Sequence, residues 1–121
     1  MLRNLMRSKI HCATVTQADL NYQGSISIDE NLLIASNIAE YEQVDVLNIN
    51  NGERFTTYAL KAKANSREIK INGAAARKAQ IGDKIIIIAY GLYSQPLDKN
   101  HQPTTIILGE NNIITQPKIN N

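Results

Sequence analysis

Short runs of Ile, Val and Thr recur along the chain and are punctuated by Gly, Asn and Asp. β-Branched residues favour strands, and Gly, Asn and Asp favour the turns between them. Eight short strands are predicted: Leu2–Cys12, Ala13–Gln17, Ile26–Ile28, Gln43–Asn50, Glu53–Ala59, Glu68–Ile71, Lys84–Ala89 and Thr104–Leu108. This pattern predicts a mainly β fold.

Other local signals refine this prediction. The pair Asn51-Gly52 lies between two predicted strands and indicates a tight hairpin with a type I′ turn. Two short helices are predicted, Glu30–Ser36 with Asp29 as its N-cap, and Ala74–Ala79 in an Ala-rich run. The unbroken run Ile85–Ile88 predicts a strand buried on both faces, as in the centre of a small closed barrel. We therefore expect a β-barrel with short helices.

The composition argues against several classes of function. The 121 residues suit a single domain. The 13 Lys and Arg and the 11 Asp and Glu are scattered along the chain and give a net charge of +2. There is no basic tract of the kind that nucleic-acid-binding proteins carry. One cysteine, Cys12, permits no intrachain disulfide, and with His11 and His101 it gives no metal-site spacing. The N-terminus lacks the apolar segment of a secretory signal, and the longest apolar run, Ile85–Tyr90, is too short to cross a bilayer. We expect a cytoplasmic protein that binds neither nucleic acid, membrane nor metal.

Polar side chains group together on the predicted strand faces. Arg54, Thr56 and Tyr58 share one face because side chains alternate along a strand. Together they offer a carboxylate-binding guanidinium and a phenolic proton. Lys9 and His11 share a face in the same way. Both groups suit an acidic ligand, and an ordinary solvated strand face is the alternative explanation for each.

Two junctions between predicted elements are further candidate functional sites. Ile71–Ala76 runs from a strand into the Ala-rich helix, where free backbone N–H groups would hold a carboxylate. A plain turn before a helix is the alternative. At Gly24-Ser25 a turn becomes a strand, for which turn chemistry is the ordinary explanation. No Ser-His-Asp spacing, Gly-rich phosphate loop or metal cluster is present, so this chain either is not catalytic or needs a cofactor made from itself.

Several separated motifs resemble one known family. NYQGS, NGERFTTYA and INGAAARKAQIGDKIIIIAY, with the opening MLRNLMRSKIH, resemble the pyruvoyl-dependent aspartate 1-decarboxylases of bacteria. The resemblance is collinear from Met1 to about Asn112. It implies a six-stranded double-psi β-barrel with short helices that forms a homotetramer. It also implies decarboxylation of L-aspartate to β-alanine and CO2 for pantothenate and coenzyme A biosynthesis.

The same resemblance implies roles for individual residues. The proenzyme would cut itself between Gly24 and Ser25 into chains 1–24 and 25–121. Ser25 would become a covalently bound pyruvoyl group that forms a Schiff base with the substrate, without metal or pyridoxal phosphate. Tyr58 would donate a proton, and Thr57 would also assist processing. Active sites between subunits would bring Arg54 and Tyr58 to a neighbour's pyruvoyl group. The implied substrate-binding residues are Lys9, Arg54, Thr57, Asn72, Gly73, Ala74 and Ala75.

Alternatives remain open from the sequence. An uncut barrel would act as a binding or structural module, and a pyruvoyl enzyme of this type would also suit another acidic amino acid, such as glutamate. The sequence leaves open whether maturation is spontaneous or needs a helper protein, and it assigns His11 no role. One domain is expected over residues 1–115. We expect residues 116–121 to form a disordered tail, because the composition turns polar after Asn111.

Overall fold

The computed structural model describes residues 1–94 and 101–120. In these ranges the chain is mainly β, with one α-helix, α1 (Glu30–Ser36), and two 3₁₀ helices, Gly73–Arg77 and Glu110–Asn112. The strands are β1 (Leu2–Thr14), β2 (Gln17–Asp19), β3 (Ser25–Asp29), β4 (Gln43–Asn48), β5 (Arg54–Ala62), β6 (Ile69–Asn72), β7 (Lys84–Ser94), β8 (Thr104–Leu108) and β9 (Ile114–Asn120). No helix in the described ranges is both long and apolar enough to cross a membrane.

The strands form one sheet in the order β2-β6-β3-β5-β4-β7-β1-β8-β9. The sheet mixes antiparallel and parallel pairs, since β1 pairs with β8, β2 with β6 and β3 with β5 in the same direction. Parallel neighbours need long crossover connections, so segments that are distant in sequence meet. In particular, β3 lies between β5 and β6. This places the Gly24-Ser25 junction between the motifs that contain Tyr58 and Asn72.

The core lies on one face of the sheet. Ile10, Val46 and Ile87 lie side by side on β1, β4 and β7, and all three are fully buried. The prediction that Ile85–Ile88 is buried on both faces is wrong, because Ile86 and Ile88 are only half-buried. β7 therefore alternates as a strand does when only one of its faces packs on the core.

Two local predictions are confirmed, one of them in part. Asp29 caps α1 by accepting a hydrogen bond from the Asn31 N–H at 2.8 Å. β4 and β5 form the predicted hairpin. Its turn is not type I′, because residues 49–53 separate the strands and only Gly52, of the Asn51-Gly52 pair, has a positive φ, of 77°.

Two other elements differ from their predictions. β1 continues to Thr14 through an irregularity at Cys12, whose φ is 64°, where two strands, Leu2–Cys12 and Ala13–Gln17, were predicted. The Ala-rich run forms a 3₁₀ helix over Gly73–Arg77 instead of a helix over Ala74–Ala79. Burial of Ala79 in the core explains the early end, since tertiary packing outweighs the high helix propensity of alanine.

The C-terminal segment also differs from its prediction. β9 pairs with β8 in antiparallel register as far as Asn120, where a disordered tail was expected for residues 116–121. Backbone hydrogen bonds between strands do not require apolar side chains, so the polar composition misled the prediction. Asn121 lies outside the described residues.

Candidate active site

Ser25, the first residue of β3, is fully buried. It lies opposite Asn72 in the antiparallel pair of β3 and β6. The Asn72 Nδ2 donates a hydrogen bond to Ser25 Oγ at 2.9 Å, and the Ser25 hydroxyl donates to the Gln23 carbonyl at 3.1 Å. A serine in an ordinary surface turn would be exposed to solvent. This serine is instead held inside the protein by two polar partners.

Gly73 presses against the Gly24-Ser25 junction. A Cβ atom added to Gly73 would lie 2.7 Å from both the Cα and the backbone N of Gly24, and 3.0 Å from the Tyr22 carbonyl. Gly73 also has a φ of 74°, in the left-handed region that favours glycine. Only glycine fits here, and its missing side chain lets the backbone of Gly24 reach the start of the 3₁₀ helix.

A cleft of about 450 Å³ opens beside Gly24. The residues that line it are Gly24, Phe55, Thr56, Thr57, Tyr58, Ala74, Ala75 and Lys78. The parallel pairing of β3 with β5 explains this grouping, because Ile26 lies opposite Ala59 and the residues just before each meet at one end of the pair. Five residues predicted from the sequence therefore line one cleft in a single chain: Gly24, Thr57, Tyr58, Ala74 and Ala75.

Two of these residues lie in arrangements that need comment. Tyr58 lines the cleft with Gly24 of its own chain, and its expected contact with a neighbouring subunit stays a prediction. Thr57 should face away from Tyr58 by strand alternation, yet both residues line the cleft. Lys78 was not predicted at all. It directly follows the 3₁₀ helix, and its Nζ lies 3.7 Å from Glu53 Oε2.

Arg54 flanks the cleft without lining it. It is exposed and borders a smaller cavity of about 160 Å³ with Asp45, Phe55 and Thr56. Phe55 and Thr56 line both cavities, so the two are neighbours. None of the ion pairs in the described part of the chain includes Arg54. Its guanidinium is therefore available to an anion.

Lys9 is not brought to the cleft within one chain. Lys9 lies opposite Ile88, Ile88 opposite Asp45, and Asp45 opposite Thr56 in the strand register. Neighbouring strands lie about 4.8 Å apart, so about 14 Å of sheet separates Lys9 from the cleft wall at Thr56. That distance exceeds the reach of a lysine side chain.

The carboxylate of Asp45 lies in the smaller cavity that Arg54 borders. Asp45 accepts hydrogen bonds from Thr56 Oγ1 at 2.7 Å and from the Tyr90 hydroxyl at 3.0 Å. Burial, followed by the Asp45 carboxylate, raises the pKa of Tyr90, and the Arg54 charge offsets part of the increase. Sequence reasoning missed Asp45 and Tyr90. The alternation of Val44-Asp45-Val46 would have placed Asp45 on the polar face of the hairpin.

Two buried acceptor or donor atoms have no hydrogen-bond partner within the described residues. They are Asn72 Oδ1 and His11 Nδ1. In the same ranges no three His, Cys, Asp or Glu side chains lie close enough together to hold a metal ion. The polar side chains that line the cleft are the hydroxyls of Thr56 and Thr57, the phenol of Tyr58 and the ammonium group of Lys78.

The chain is similar to known proteins over nearly its whole length. A family model described as Aspartate decarboxylase matches residues 1–115. The aspartate 1-decarboxylase of Ralstonia nicotianae is 51% identical over 118 residues, which are 98% of each chain. That of Maricaulis maris is 55% identical over 119 residues, again 98% of each chain. That of Caldicellulosiruptor saccharolyticus is 53% identical over 116 residues, 96% of this chain and 91% of that one.

Proposed function

Because the chain belongs to the aspartate decarboxylase family, we propose that it converts L-aspartate to β-alanine and CO2, which supplies β-alanine for pantothenate and coenzyme A biosynthesis. The observation that carries this proposal is the buried Ser25, bonded to Asn72 and adjoining a cleft that contains Tyr58. A buried serine that follows a glycine suits a peptide bond that is cleaved by the protein's own serine hydroxyl.

The architecture that we propose is the six-stranded double-psi β-barrel. Its two crossing connections require parallel strand pairs inside a sheet that is otherwise antiparallel. The parallel pairs β3 with β5 and β1 with β8 support it. Helix α1 and the 3₁₀ helix at Gly73–Arg77 are the short helices of such a fold.

Self-cleavage begins with the Ser25 hydroxyl. Its oxygen attacks the Gly24 carbonyl carbon, and the acyl group moves from the Ser25 nitrogen to the oxygen, giving an ester. The missing side chain of Gly24 leaves that carbonyl open to attack. Thr57, which lines the cleft beside Gly24, donates a hydrogen bond to the developing oxyanion. Such donors contribute about 2.7–4 kcal/mol in other enzymes.

The ester then breaks by β-elimination. Gly24 leaves as a carboxylate, which ends chain 1–24, and residue 25 becomes dehydroalanine. Tautomerisation and hydrolysis release ammonia and leave a pyruvoyl group at the N-terminus of chain 25–121. Water and the groups of the chain supply every atom in this sequence, so no metal or other cofactor is needed.

The residues around Ser25 fit a pyruvoyl group. The group would be buried, and Asn72 Nδ2 would lie beside it. Because Gly73 has no side chain, its backbone can lie against that of Gly24. Asn72 Oδ1, which is buried and has no hydrogen-bond partner in the described part of the chain, is available to a substrate N–H. When present, the pyruvoyl carbonyl holds the substrate amine covalently and accepts the electrons that decarboxylation releases.

The remaining residues bind the substrate and move its proton. The Tyr58 hydroxyl donates a proton to the substrate carbon that has lost its carboxylate, which is general acid catalysis. Arg54 binds one carboxylate of the dianionic substrate, since it flanks the cleft and forms no ion pair with another described residue. Ala74 and Ala75 line the cleft with small side chains, so a ligand approaches their backbone N–H groups.

The assembly that we propose is a homotetramer with sites completed by a neighbouring subunit. The position of Lys9, about 14 Å along the sheet from Thr56, supports this arrangement, because Lys9 then contacts the substrate bound to another copy. The half-buried Ile86 and Ile88 give the outer face of the sheet apolar surface for the contact. The aspartate in each site therefore contacts two chains.

Denaturing mass spectrometry of the purified protein tests the proposal. Mature protein gives two fragments, 1–24 and 25–121, and a chain without function as a decarboxylase stays whole. Cleavage of the protein after purification, with nothing added, means that maturation is spontaneous. Cleavage only after addition of cell extract means that a helper protein is required.

Two substitutions separate processing from catalysis. Ser25→Ala leaves one uncut chain that releases no CO2 from aspartate, because only the hydroxyl starts the acyl shift. Tyr58→Phe is cut normally but forms little β-alanine, because only the phenolic proton is lost. The control is Ser36→Ala, which removes a buried hydroxyl bonded to the Leu33 carbonyl elsewhere. Turnover by Ser25→Ala contradicts the pyruvoyl assignment, and turnover of glutamate above that of aspartate contradicts the substrate.

A further inference from the structure

A second serine shares the Asn72 amide with Ser25. Ser25 and Ser27 are alternate residues of β3, so both face the same side of the strand. Asn72 Nδ2 lies 2.9 Å from Ser25 Oγ and 3.1 Å from Ser27 Oγ, and donates to both. An amide nitrogen carries two hydrogens, so one goes to each serine. Nothing in the proposed reaction uses Ser27.

The orientation of the Asn72 amide depends on these two hydrogen bonds. Asn72 is fully buried, and its Oδ1 has no hydrogen-bond partner among the described residues. The carbonyl end therefore contributes no polar contact that fixes the side chain. If Ser27 loses its hydroxyl, one buried N–H loses its partner, and rotation of the amide would no longer be opposed.

We infer that Ser27 is a positioning residue for the self-cleavage between Gly24 and Ser25, and that it acts through Asn72. This inference rests on the proposed function. By taking one Nδ2 hydrogen, the Ser27 hydroxyl aims the other at Ser25 Oγ. Ser25 Oγ is then held as an acceptor, and its own hydrogen stays directed at the Gln23 carbonyl. The nucleophilic oxygen is thus fixed beside the bond that it attacks.

The test compares two side chains of nearly equal shape that differ in one hydroxyl. Full-length Ser27→Thr and Ser27→Val are purified while still partly uncut, and the uncut fraction is followed over time by denaturing mass spectrometry. Ser27→Thr should be cut within about twofold of the wild-type rate. Ser27→Val should be cut about tenfold more slowly, the factor that one ordinary hydrogen bond makes in a rate. Ser27→Ala, which relieves any crowding by Val, should be slow in the same way.

The same pair in an Asn72→Ala background tests the route. There the Thr and Val variants should be cut at equal rates, because Ser27 no longer has an amide to position. A persisting tenfold difference overturns the role of Asn72. Equal cleavage of the Thr and Val variants with Asn72 intact overturns the inference alone, since the wild type is still cut. A wild-type protein that is never cut overturns the proposed function and the inference with it.

Discussion

Gly73 and Gly24 lie so close together that an added Cβ on Gly73 would be 2.7 Å from the Gly24 Cα. The two glycines are 49 positions apart in sequence and meet because β6, which ends at Asn72, pairs with β3, which begins at Ser25. The atoms of Gly24 in this contact belong to the backbone, so they cannot move away as the end of a flexible side chain could. The backbone geometry at the proposed cleavage site therefore depends on Gly73, which we propose no chemical role for.

Gly73→Ala should stop or strongly slow cleavage between Gly24 and Ser25, because the new Cβ displaces the Gly24 backbone. Gly52→Ala is a matched control. Gly52 has a φ of 77°, close to the 74° of Gly73, but an added Cβ would meet nothing within 4 Å. Both variants lose about 1–2 kcal/mol to backbone strain, and only Gly73→Ala should accumulate the uncut chain in mass spectrometry. Equal cleavage of the two variants would contradict the prediction.

Asp29 should contribute more to stability than its role as a helix cap requires. The buried carboxylate accepts three backbone N–H bonds, from Asn31 at 2.8 Å, Asn65 at 3.2 Å and Arg67 at 2.7 Å. Asp29→Ala loses the cap and leaves two further N–H groups without this partner. We expect a decrease of about 3 kcal/mol in the free energy of unfolding, measured by urea denaturation. Asp19→Ala, which removes one hydrogen bond to the exposed Asn21 N–H, should cost less than about 1 kcal/mol. Similar losses in the two variants would contradict this account.

Interactions between residues close in sequence could be predicted, whereas contacts between distant residues could not. The Asp29 cap and the β4–β5 hairpin were predicted because their signals lie within a few residues. The contact of Ser25 with Asn72 joins residues 47 positions apart, and no local pattern specifies which strands become neighbours. The motif resemblance implied that both residues belong to one site. It could not reveal that Ser27 shares the same amide.

The positions of Lys9 and Tyr58 show a second limit. Both were expected at the site from matching motifs, and a motif does not say which copy of a chain supplies a residue. The register places Tyr58 in the cleft of its own chain and Lys9 three strands from that cleft wall. The 3₁₀ helix at Gly73–Arg77 shows the same kind of limit, because alanine propensity alone could not foresee that Ala79 is buried.

The Tyr90–Asp45 hydrogen bond should make stability fall at high pH. Burial and the nearby carboxylate raise the pKa of Tyr90 in the folded protein. Tyr90 thus keeps its proton in the folded chain at a pH where the unfolded chain has lost it. Its contribution to stability is fully present below about pH 10 and is lost as the pH rises through the folded pKa. Asp45→Asn removes the neighbouring negative charge, so Tyr90 should ionise at lower pH.

Tyrosinate absorbance during a pH titration measures this effect. The difference between wild type and Tyr90→Phe isolates the Tyr90 signal, and its midpoint should lie above that of free tyrosine. Tyr41→Phe provides the control, because Tyr41 is 71% exposed and its side chain is largely solvated. A Tyr90 midpoint that does not move on Asp45→Asn would contradict the role of the carboxylate.

Lys9 and Ser25 should complement each other between subunits. Lys9→Ala and Ser25→Ala are each expected to be inactive, the first for lack of a carboxylate-binding cation and the second for lack of the pyruvoyl group. In a mixed form of the proposed tetramer, a Lys9→Ala chain would supply Ser25 and Tyr58, and a Ser25→Ala neighbour would supply Lys9. Co-expression of the two variants with different affinity tags, followed by two-step purification of hybrids, should therefore restore CO2 release from aspartate.

The matched mixture of Ser25→Ala with Tyr58→Phe should not recover activity. Tyr58 lines the cleft beside Gly24 of its own chain, so each site in that hybrid lacks either the pyruvoyl group or the phenol. The two mixtures share one partner and differ only in the second variant, and mass spectrometry of each hybrid verifies its composition. Recovery in the Tyr58 mixture would mean that Tyr58 acts across the subunit boundary. No recovery in the Lys9 mixture would mean that Lys9 serves its own chain, and that the sheet does not separate it from the site as the strand register indicates.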